Sequence, residues 1–362
     1  MKIYLVGGAI RDKLLGLEPK EKDWVVINSS PQELLNLGYK QVGKDFPVFL
    51  NPHTTEEYAL ARKERKVNKG HQGFEFDISS IVTLEQDLLR RDLTINAIAQ
   101  DEEGGLIDPY NGIADIENKV LRHVSEAFTE DPLRVFRLAR FYAKLYSYNF
   151  NIHDSTYKII ERIVNSGEIE TLSPERLWGE LSKAFNTPDP WMFFEVLIKS
   201  KVAEKYIPEI LHNNLLKEKI LFFSKKNIEK NMFLSIAGFS NNFVTLFGFP
   251  KKILDIYFMY NEFQPKFFSL QMQSEKILSF LNTLDAFRRP ERLKIFLKQI
   301  KYSTNFSQIN KDLKLSIFFE LSEIIEKKIN YGDLINIEVE KIKRKIEKIN
   351  LNLISSVLSK KI

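Results

Sequence analysis

Between Tyr4 and Ile27 the sequence reads YLVGGAIRDKLLGLEPKEKDWVVI, and this stretch restricts the fold more than any other part of the chain. A strand-type apolar run over 3–6 ends on two glycines, and a second such run, 24–27, begins straight after the carboxylates Glu21 and Asp23. Glycines let a backbone come close to a phosphate, with N–H groups pointing into the gap. Arg11, three residues after the second glycine, can add a charged fork to a triphosphate. Glu21 and Asp23 are two apart, so on a strand they share one face. Two carboxylates on one face repel each other unless a cation lies between them. Hard oxygen donors suit Mg²⁺, which can align an attacking hydroxyl with a phosphate. The same residues also read as a Gly-Gly turn followed by a solvated charge run, KEKD, and on this stretch alone both readings stay open.

A chain of 362 residues is too long for one small core and predicts two or more domains. Hydrophobic residues make up 44% and charged residues 28%, a soluble, globular balance. No apolar run approaches the roughly 20 residues of a membrane span. The start runs into glycines too soon for a signal peptide, so a cytoplasmic protein with no membrane partner is expected. The absence of cysteine excludes disulfides, thiolate nucleophiles and Cys-ligated zinc. A net charge of +5 permits a polyanionic partner without requiring one. No obligate protein partner is indicated.

Residues 1–125 read as mixed α/β. Ser30-Pro31-Gln32-Glu33 opens a helix with Ser30 as cap, Pro31 in the first turn and Glu33 as capping-box partner. Strands are expected over 46–50 and 56–62 around the turn NPHTT. The segment KVNKGHQGFEFDISS, 66–80, has no clear period and reads as a mobile loop. LTINAIAQ and GLIDPY read as hairpin strands around DEEGG. From about residue 127 the period becomes helical: DPLRVFRLARFYAKLY sets apolar residues at 133, 136, 138, 141 and 145, and SPERLWGELSKAF starts a further helix at Ser173 and Pro174. From about 215 to the end the text reads as helices throughout.

Two arginine-bearing segments add to the first stretch. In LLRRDLTINAIA, residues Arg90, Arg91, Asp92 and Asn96 suit phosphate and ribose contact, or a capped strand entry with surface arginines. In EDPLRVFRLARF, Arg134, Arg137 and Arg140 recur every third residue and span roughly 120° of helix surface. They suit anion or base contacts, or a solvated basic face. Asp131 lies one turn before Arg134 and can pair with it. A carboxylate only accepts and a guanidinium only donates. Such an acceptor–donor pair suits the pairing edges of cytosine and adenine and mismatches uracil and guanine, so it can read a base without a nucleic-acid template.

Taken in order, GGAIRD, the carboxylate-x-Asp strand, RRDLTINA, DPYNG, EDPLRVFRLARF and LSPERLW resemble the bacterial tRNA nucleotidyltransferases, the class II CCA-adding enzymes. The resemblance is close over roughly residues 1–200, with a weaker echo in LDAFRRPERL, 284–293. It implies an α+β fold: a polymerase-β-type nucleotidyltransferase head with a mixed sheet over 1–125, a helical neck carrying the nucleotide-reading helix over 126–210, and a helical body and tail that bind tRNA over 211–362. It implies CTP and ATP as substrates, Mg²⁺ as cofactor and the tRNA 3′ end as acceptor. By matching position, Gly8 and Arg11 would contact the triphosphate. Glu21 and Asp23 would hold the metal, with Glu57 of TEEYALAR as a third carboxylate. Arg91 would contact the nucleotide. Asp131 and Arg134 would read the base edge, supported by Arg137 and Arg140.

Two features depart from the family pattern. The metal pair of the family is Asp-x-Asp, and here its first member is Glu21, whose extra methylene moves the carboxylate. Some relatives carry a His- and Asp-based phosphohydrolase domain in the C-terminal part; here no histidine follows residue 212, so neither phosphatase nor phosphodiesterase activity is expected. Complete CCA addition is the expected function, because the 66–80 segment is full length. Partial CC or A addition, a poly(A) polymerase and a silent RNA-binding protein are the alternatives.

Overall fold

The computed structural model describes all residues except 20, 43–47, 62, 67–73, 78–81, 212, 227, 305–311, 328, 330–338 and 362. Along the chain the strands are β1 Lys2–Val6, β2 Asp23–Ile27, β3 Lys40–Val42, β4 Val48–Leu50, β5 Glu57–Leu60, β6 Lys63–Lys66, β7 Phe74–Asp77, β8 Ala99–Gln100, β9 Leu106–Ile107, β10 Val120–Leu121 and β11 Asn151–Ile152. The helices of the first 226 residues are α1 Gly8–Leu14, α2 Pro31–Asn36, α3 Leu84–Leu89, α4 Gly112–Glu117, α5 Leu133–Leu145, α6 Asp154–Ser166, α7 Pro174–Ala184, α8 Trp191–Lys199, α9 Val202–Tyr206 and α10 Asn214–Lys226. Then follow α11 Lys230–Ile236, α12 Asn241–Leu246, α13 Lys251–Ser269, α14 Ser274–Thr283, α15 Pro290–Thr304, α16 Asp312–Glu326 and α17 Val339–Lys361. The expected class holds: a mixed sheet in the N-terminal part and helices after it. Among the described residues no helix is long and apolar enough to cross a membrane.

The chain divides into two compact units. The first comprises Met1–Lys226 with Ser240–Gly248, the second Asn227–Phe239 with Phe249–Ile362. The first unit holds a seven-stranded sheet in the order β3-β4-β5-β2-β1-β8-β9. Only the β2–β5 pair in it is parallel, and its register sets Asp23 beside Glu57; on the other side of β2, Asp23 faces Val6 of β1. Alternation along the strands divides the apolar residues between two faces. Val6, Val25 and Ala61 pack with Leu84 and Leu88 on one side, and Val26, Tyr58 and Leu60 pack with Leu34 and Phe49 on the other. Asp23 and Glu57 have the parity of Val25 and Ala61, so they continue the first face beyond the end of its apolar cluster.

Local signals act as the sequence predicts at several elements. Ser30 and Glu33 form a reciprocal capping box at α2, with Pro31 in the first turn. In α5 every apolar position of the predicted stripe is buried: Leu133, Phe136, Leu138, Phe141 and Leu145. α5 packs against α7 and α8. Ser173 precedes α7 with extended backbone but gives no side-chain cap.

Three expectations change. The strand predicted over LTINAIAQ is a 3₁₀ turn, Thr94–Asn96, followed by the two-residue β8. Buried polar side chains take the backbone there: Asp92 Oδ1 accepts from Leu93 N at 2.9 Å and from Asn96 Nδ2 at 3.0 Å, competing with a sheet ladder. The hairpin around DEEGG is present but short, Ala99 facing Ile107. The segment read as a loop over 66–80 contains strand: β6 and β7 pair antiparallel, Lys66 facing Phe74, with the residues between them outside the described ones. The alternation Phe-Glu-Phe-Asp was the available strand signal. Of the strand expected over 46–50, residues 46–47 lie outside the described ones and 48–50 form β4.

DPYNG closes the head tightly. Asp108 accepts from Gly112 N (2.7 Å) and Ile113 N (2.8 Å), capping α4. A Cβ on Gly112 would lie 2.2 Å from Thr94 O, a backbone atom that cannot give way cheaply. Gly112→Ala is therefore expected to cost about 2–3 kcal/mol, in the range of overpacking changes, read as a lower urea midpoint at unchanged slope.

The second unit is helical. Its core is built on Phe263, Phe267, Phe280, Phe296 and Phe318, with edge-to-face rings such as Phe267–Phe318 at 5.0 Å between centroids. Lys314 Nζ donates to the carbonyls of Phe267, Phe268 and Leu270, closing the C-terminal end of α13.

Candidate active site

The first glycine, not the second, makes the tight turn. Gly7 has φ 72°, and a Cβ there would lie 2.9 Å from Arg91 Nη1. Gly8 opens α1, where a Cβ would come 3.4 Å from Arg11 Nη2. The pair therefore lets two guanidinium groups close on the turn between β1 and α1.

Arg11 is 4% exposed. Its Nε and Nη2 donate to Asp12 Oδ1 and its Nη1 donates to Asn96 Oδ1 at 2.6 Å. Lys144 Nζ of α5 reaches the same Asp12 carboxylate at 3.0 Å. In this state the fork expected to meet a triphosphate is engaged with protein. Arg91 follows α3; its Nη2 pairs with the buried Asp87 at 3.2 Å, while its Nε is buried with no hydrogen-bond partner.

Asp23 is exposed at the start of β2. Desolvation raises its pKa above the ordinary carboxylate value, and the charge of Glu21 raises it further; Arg91 and Arg137 oppose the shift. Four predicted residues thus share one electrostatic neighbourhood: Glu21, Asp23, Arg91 and Arg137. Glu57 is beside Asp23 by register, but among the described residues no three His, Cys, Asp or Glu groups converge as metal ligands. Among the described residues, the carboxylates predicted to hold metal are Glu21 and Asp23. Two hard oxygen donors of like charge fit a divalent cation that completes its shell with phosphate and water oxygens.

The α5 arginines are held by partners distant in sequence. Arg137 Nε and Nη2 both bond Asp92 Oδ2 at 2.7 Å. Burial works to raise the pKa of Asp92, but Arg137, Asn96 and Arg134 outweigh it and hold the group far below the ordinary range. Arg140 Nε pairs with Glu180 of α7, a buried carboxylate. The Phe141 ring lies under three guanidinium groups: Arg140 at 4.2 Å, Arg11 at 5.0 Å and Arg137 at 5.8 Å.

The predicted base-reading residues do not pair with each other's side chains here. Asp131 Oδ2 accepts from Arg176 Nη2 of α7 at 2.8 Å, and Oδ1 accepts from Leu133 N at 3.1 Å. Arg134 Nη1 donates to Ala127 O at 2.6 Å. Sequence reasoning missed Asp12, Phe141, Lys144, Arg176 and Glu180. One had a readable signal: Glu180 falls on the buried stripe Leu177, Leu181, Ala184 of α7, and a carboxylate on an apolar stripe requires a buried cation.

A carboxylate pair at the edge of a mixed sheet, with arginines from a following helix in its field, is the arrangement expected of a nucleotidyltransferase head. Residues 3–122 match the family model described as the poly A polymerase head domain, and residues 149–213 match that described as "Probable RNA and SrmB- binding site of polymerase A". The two matches follow one another along the first 213 residues of the chain. It is 56% identical over 210 residues to the Multifunctional CCA protein of Haemophilus influenzae (strain PittGG), a match covering 58% of this chain and 50% of that protein. The chain thus spans about half the length of the curated relative it matches. In fold it is similar to a CCA-adding enzyme in apo form II (TM-score 0.68, 19% identity, 99% of this chain and 91% of that one). It is also similar to the Bacillus stearothermophilus CCA-adding enzyme in complex with CTP (0.66, 20%, 99% and 93%). A third likeness is to a tRNA nucleotidyltransferase complexed with a primer tRNA and an incoming ATP analog (0.60, 23%, 90% and 96%). Nucleotidyltransferases of this family are generally dependent on a divalent metal.

Proposed function

We propose that this protein adds CCA to the 3′ end of tRNA without a nucleic-acid template, using CTP twice and ATP once and releasing pyrophosphate each time. The observation that carries this reading is that Asp23 sits beside Glu57 by sheet register, within the charge of Glu21, Arg91 and Arg137, next to a glycine turn that Arg91 closes. Glu21 and Asp23 would hold Mg²⁺, which, when bound, lowers the pKa of the attacking hydroxyl and stabilises charge on the departing phosphates. The tRNA 3′-hydroxyl attacks the α-phosphate, the bond to the bridging oxygen breaks, and no covalent enzyme intermediate forms.

The chain's own residues position the substrates. Gly7 and Gly8 keep the β1–α1 turn free of side chains so that phosphates can approach backbone N–H groups. Arg91 would offer the donors of its partly exposed guanidinium to the triphosphate, and Arg11 joins by exchanging a carboxylate partner for phosphate oxygens. Asp131 and Arg134 read the pairing edge of C or A, Arg176 fixes the Asp131 carboxylate, and Arg137 and Arg140 support the nucleotide from Asp92 and Glu180. Residues 1–125 supply catalysis, 126–210 nucleotide selection and 211–362 the grip on tRNA, all in the cytoplasm.

A tRNA transcript ending at the discriminator base, incubated with Mg²⁺ and CTP, ATP or both, tests the reading at single-nucleotide resolution. Two additions with CTP and a third only with both nucleotides are expected. A stop at CC, or A added only to preformed CC ends, would make this a partial enzyme; a long A ladder would make it a poly(A) polymerase. Failure to extend under any condition would overturn the enzymatic reading.

A further inference from the structure

We infer, on the reading above in which Arg11 exchanges a carboxylate for phosphate oxygens, that Lys144 is a positioning residue: it is the standing counter-ion of Asp12, and it leaves the Arg11 fork free to turn to a nucleoside triphosphate.

Two cations share one carboxylate where one would neutralise it. Asp12 of α1 is buried. Its Oδ1 accepts from Arg11 Nε at 2.9 Å and from Arg11 Nη2 at 2.8 Å. Lys144, in the last turn of α5, donates to Oδ1 at 3.1 Å and to Oδ2 at 3.0 Å. A buried carboxylate needs a counter-ion, since an uncompensated charge away from water is strongly unfavourable. Arg11 already supplies one. The second cation is held against opposing forces: burial lowers the pKa of Lys144, the charges of Arg11 and Arg140 lower it further, and Asp12 counters them. While Arg11 rests on Asp12, the lysine is surplus.

Release of Arg11 removes the surplus. Its Nη2 already lies against the glycine turn, where a Cβ on Gly8 would come 3.4 Å from it. The fork can therefore change acceptors without travelling. Asn96 Oδ1, which accepts from Nη1 at 2.6 Å, and the Phe141 ring, 5.0 Å from the guanidinium carbon, support the group on its other sides. When Nη2 turns to a phosphate oxygen, Oδ1 of Asp12 loses its shortest bond. Lys144 still bridges both oxygens, so no buried carboxylate is stranded. Without Lys144 the same movement would leave Asp12 uncompensated, and the guanidinium would stay on it. The carboxylate thus changes from two cations to one instead of from one to none.

Titration calorimetry of the full-length protein with CTP in the presence of Mg²⁺ reads this role. Lys144→Met, which keeps the apolar stem, is expected to weaken CTP binding about tenfold, within the range of coupling between charged groups in contact. Lys144→Arg should restore most of the affinity. ATP should lose affinity to the same extent, because the pair acts on phosphates and not on the base. In an Asp12→Asn background no buried carboxylate needs a counter-ion, so Lys144→Met should change CTP binding by less than about twofold. An Asp12→Ser background should give the same result. In tRNA extension Lys144→Met should raise the CTP KM about tenfold with little change in kcat, the pattern of lost uniform binding. An equal loss with and without the Asp12 carboxylate would show that Lys144 acts on the nucleotide directly and would overturn the positioning role. CTP affinity of Lys144→Met equal to wild type would overturn it too, and continued extension of tRNA would then leave CCA addition standing. Wild-type protein that binds no CTP would overturn both readings. Lys144-dependent CTP binding that Asp12→Asn cancels, in a protein that extends nothing, would support the positioning role while removing the catalytic reading.

Discussion

Asp23→Asn is expected to reduce nucleotidyl transfer by about 10³-fold or more while leaving the fold at least as stable as wild type. The loss follows from removing one of two charged oxygen donors that would hold the metal, in a site where charge stabilisation is the main catalytic contribution. The stability follows from the sign of the pKa shift. The folded state raises the pKa of Asp23, first through desolvation and then through Glu21. A group shifted upward contributes stability below its unfolded pKa and loses it as pH rises through the folded value. At neutral pH an ionised Asp23 is therefore a net cost to the metal-free protein, and asparagine relieves it. Single-turnover CTP incorporation and a thermal melt without metal together test the idea. Retention of more than a tenth of the activity, or a clearly lower melting temperature, would show that Asp23 is a structural residue. Glu21→Asp tests the other member: restoring the shorter side chain should at least preserve the rate, because the partner strand register is unchanged.

Asp92→Ala should be the most destabilising single change in the head, by about 3–5 kcal/mol, the range for removing one member of a buried ion pair. Every acceptor position of this buried carboxylate is used. Oδ1 serves Leu93 N and Asn96 Nδ2, and Oδ2 serves Nε and Nη2 of Arg137. Alanine would strand all four donors. The pKa of Asp92 is depressed: burial opposes ionisation, but Arg137 and Asn96 overcome it. Its contribution is thus fully present above the unfolded carboxylate pKa and is lost progressively as pH falls from there through the much lower folded value. Urea midpoints at pH 7 and at pH 3 should converge more for the variant than for wild type. Asp92→Asn, which keeps the shape, should recover part of the stability but not the placement of Arg137. An Asp92→Ala protein within 1 kcal/mol of wild type would show that Arg137 finds an equivalent partner in Glu180, whose Oε1 already lies 4.0 Å from it.

Both predictions depend on pairings of different sequence range, and that difference marks how far the sequence could be read. Ser30 and Glu33 are three residues apart, and their capping box forms as the spacing requires. The α5 stripe of five apolar residues is buried in full because a helix repeats every 3.6 residues whatever surrounds it. The spacing of Glu21 and Asp23 suggests one strand face, but β2 begins at Asp23 and Glu21 precedes it, so only Asp23 stands on the strand. Asp131 and Arg134 have the right local spacing as well, yet their side chains turn to Arg176 and Ala127. Arg176 is 45 residues from Asp131, Glu180 is 40 from Arg140, and Lys144 is 132 from Asp12.

By itself, then, the sequence determined the elements and their faces: a strand, a glycine turn, a carboxylate at the start of the next strand, and a helix with an apolar stripe and a row of arginines. These follow from covalent geometry and contacts within one or two turns. Only the tertiary structure decided which carboxylate meets which arginine, that Asp23 sits beside Glu57, and that Lys144 of α5 reaches the Asp12 carboxylate of α1. Such pairings depend on sheet register and helix packing, which bring together residues whose separation along the chain has no period to read.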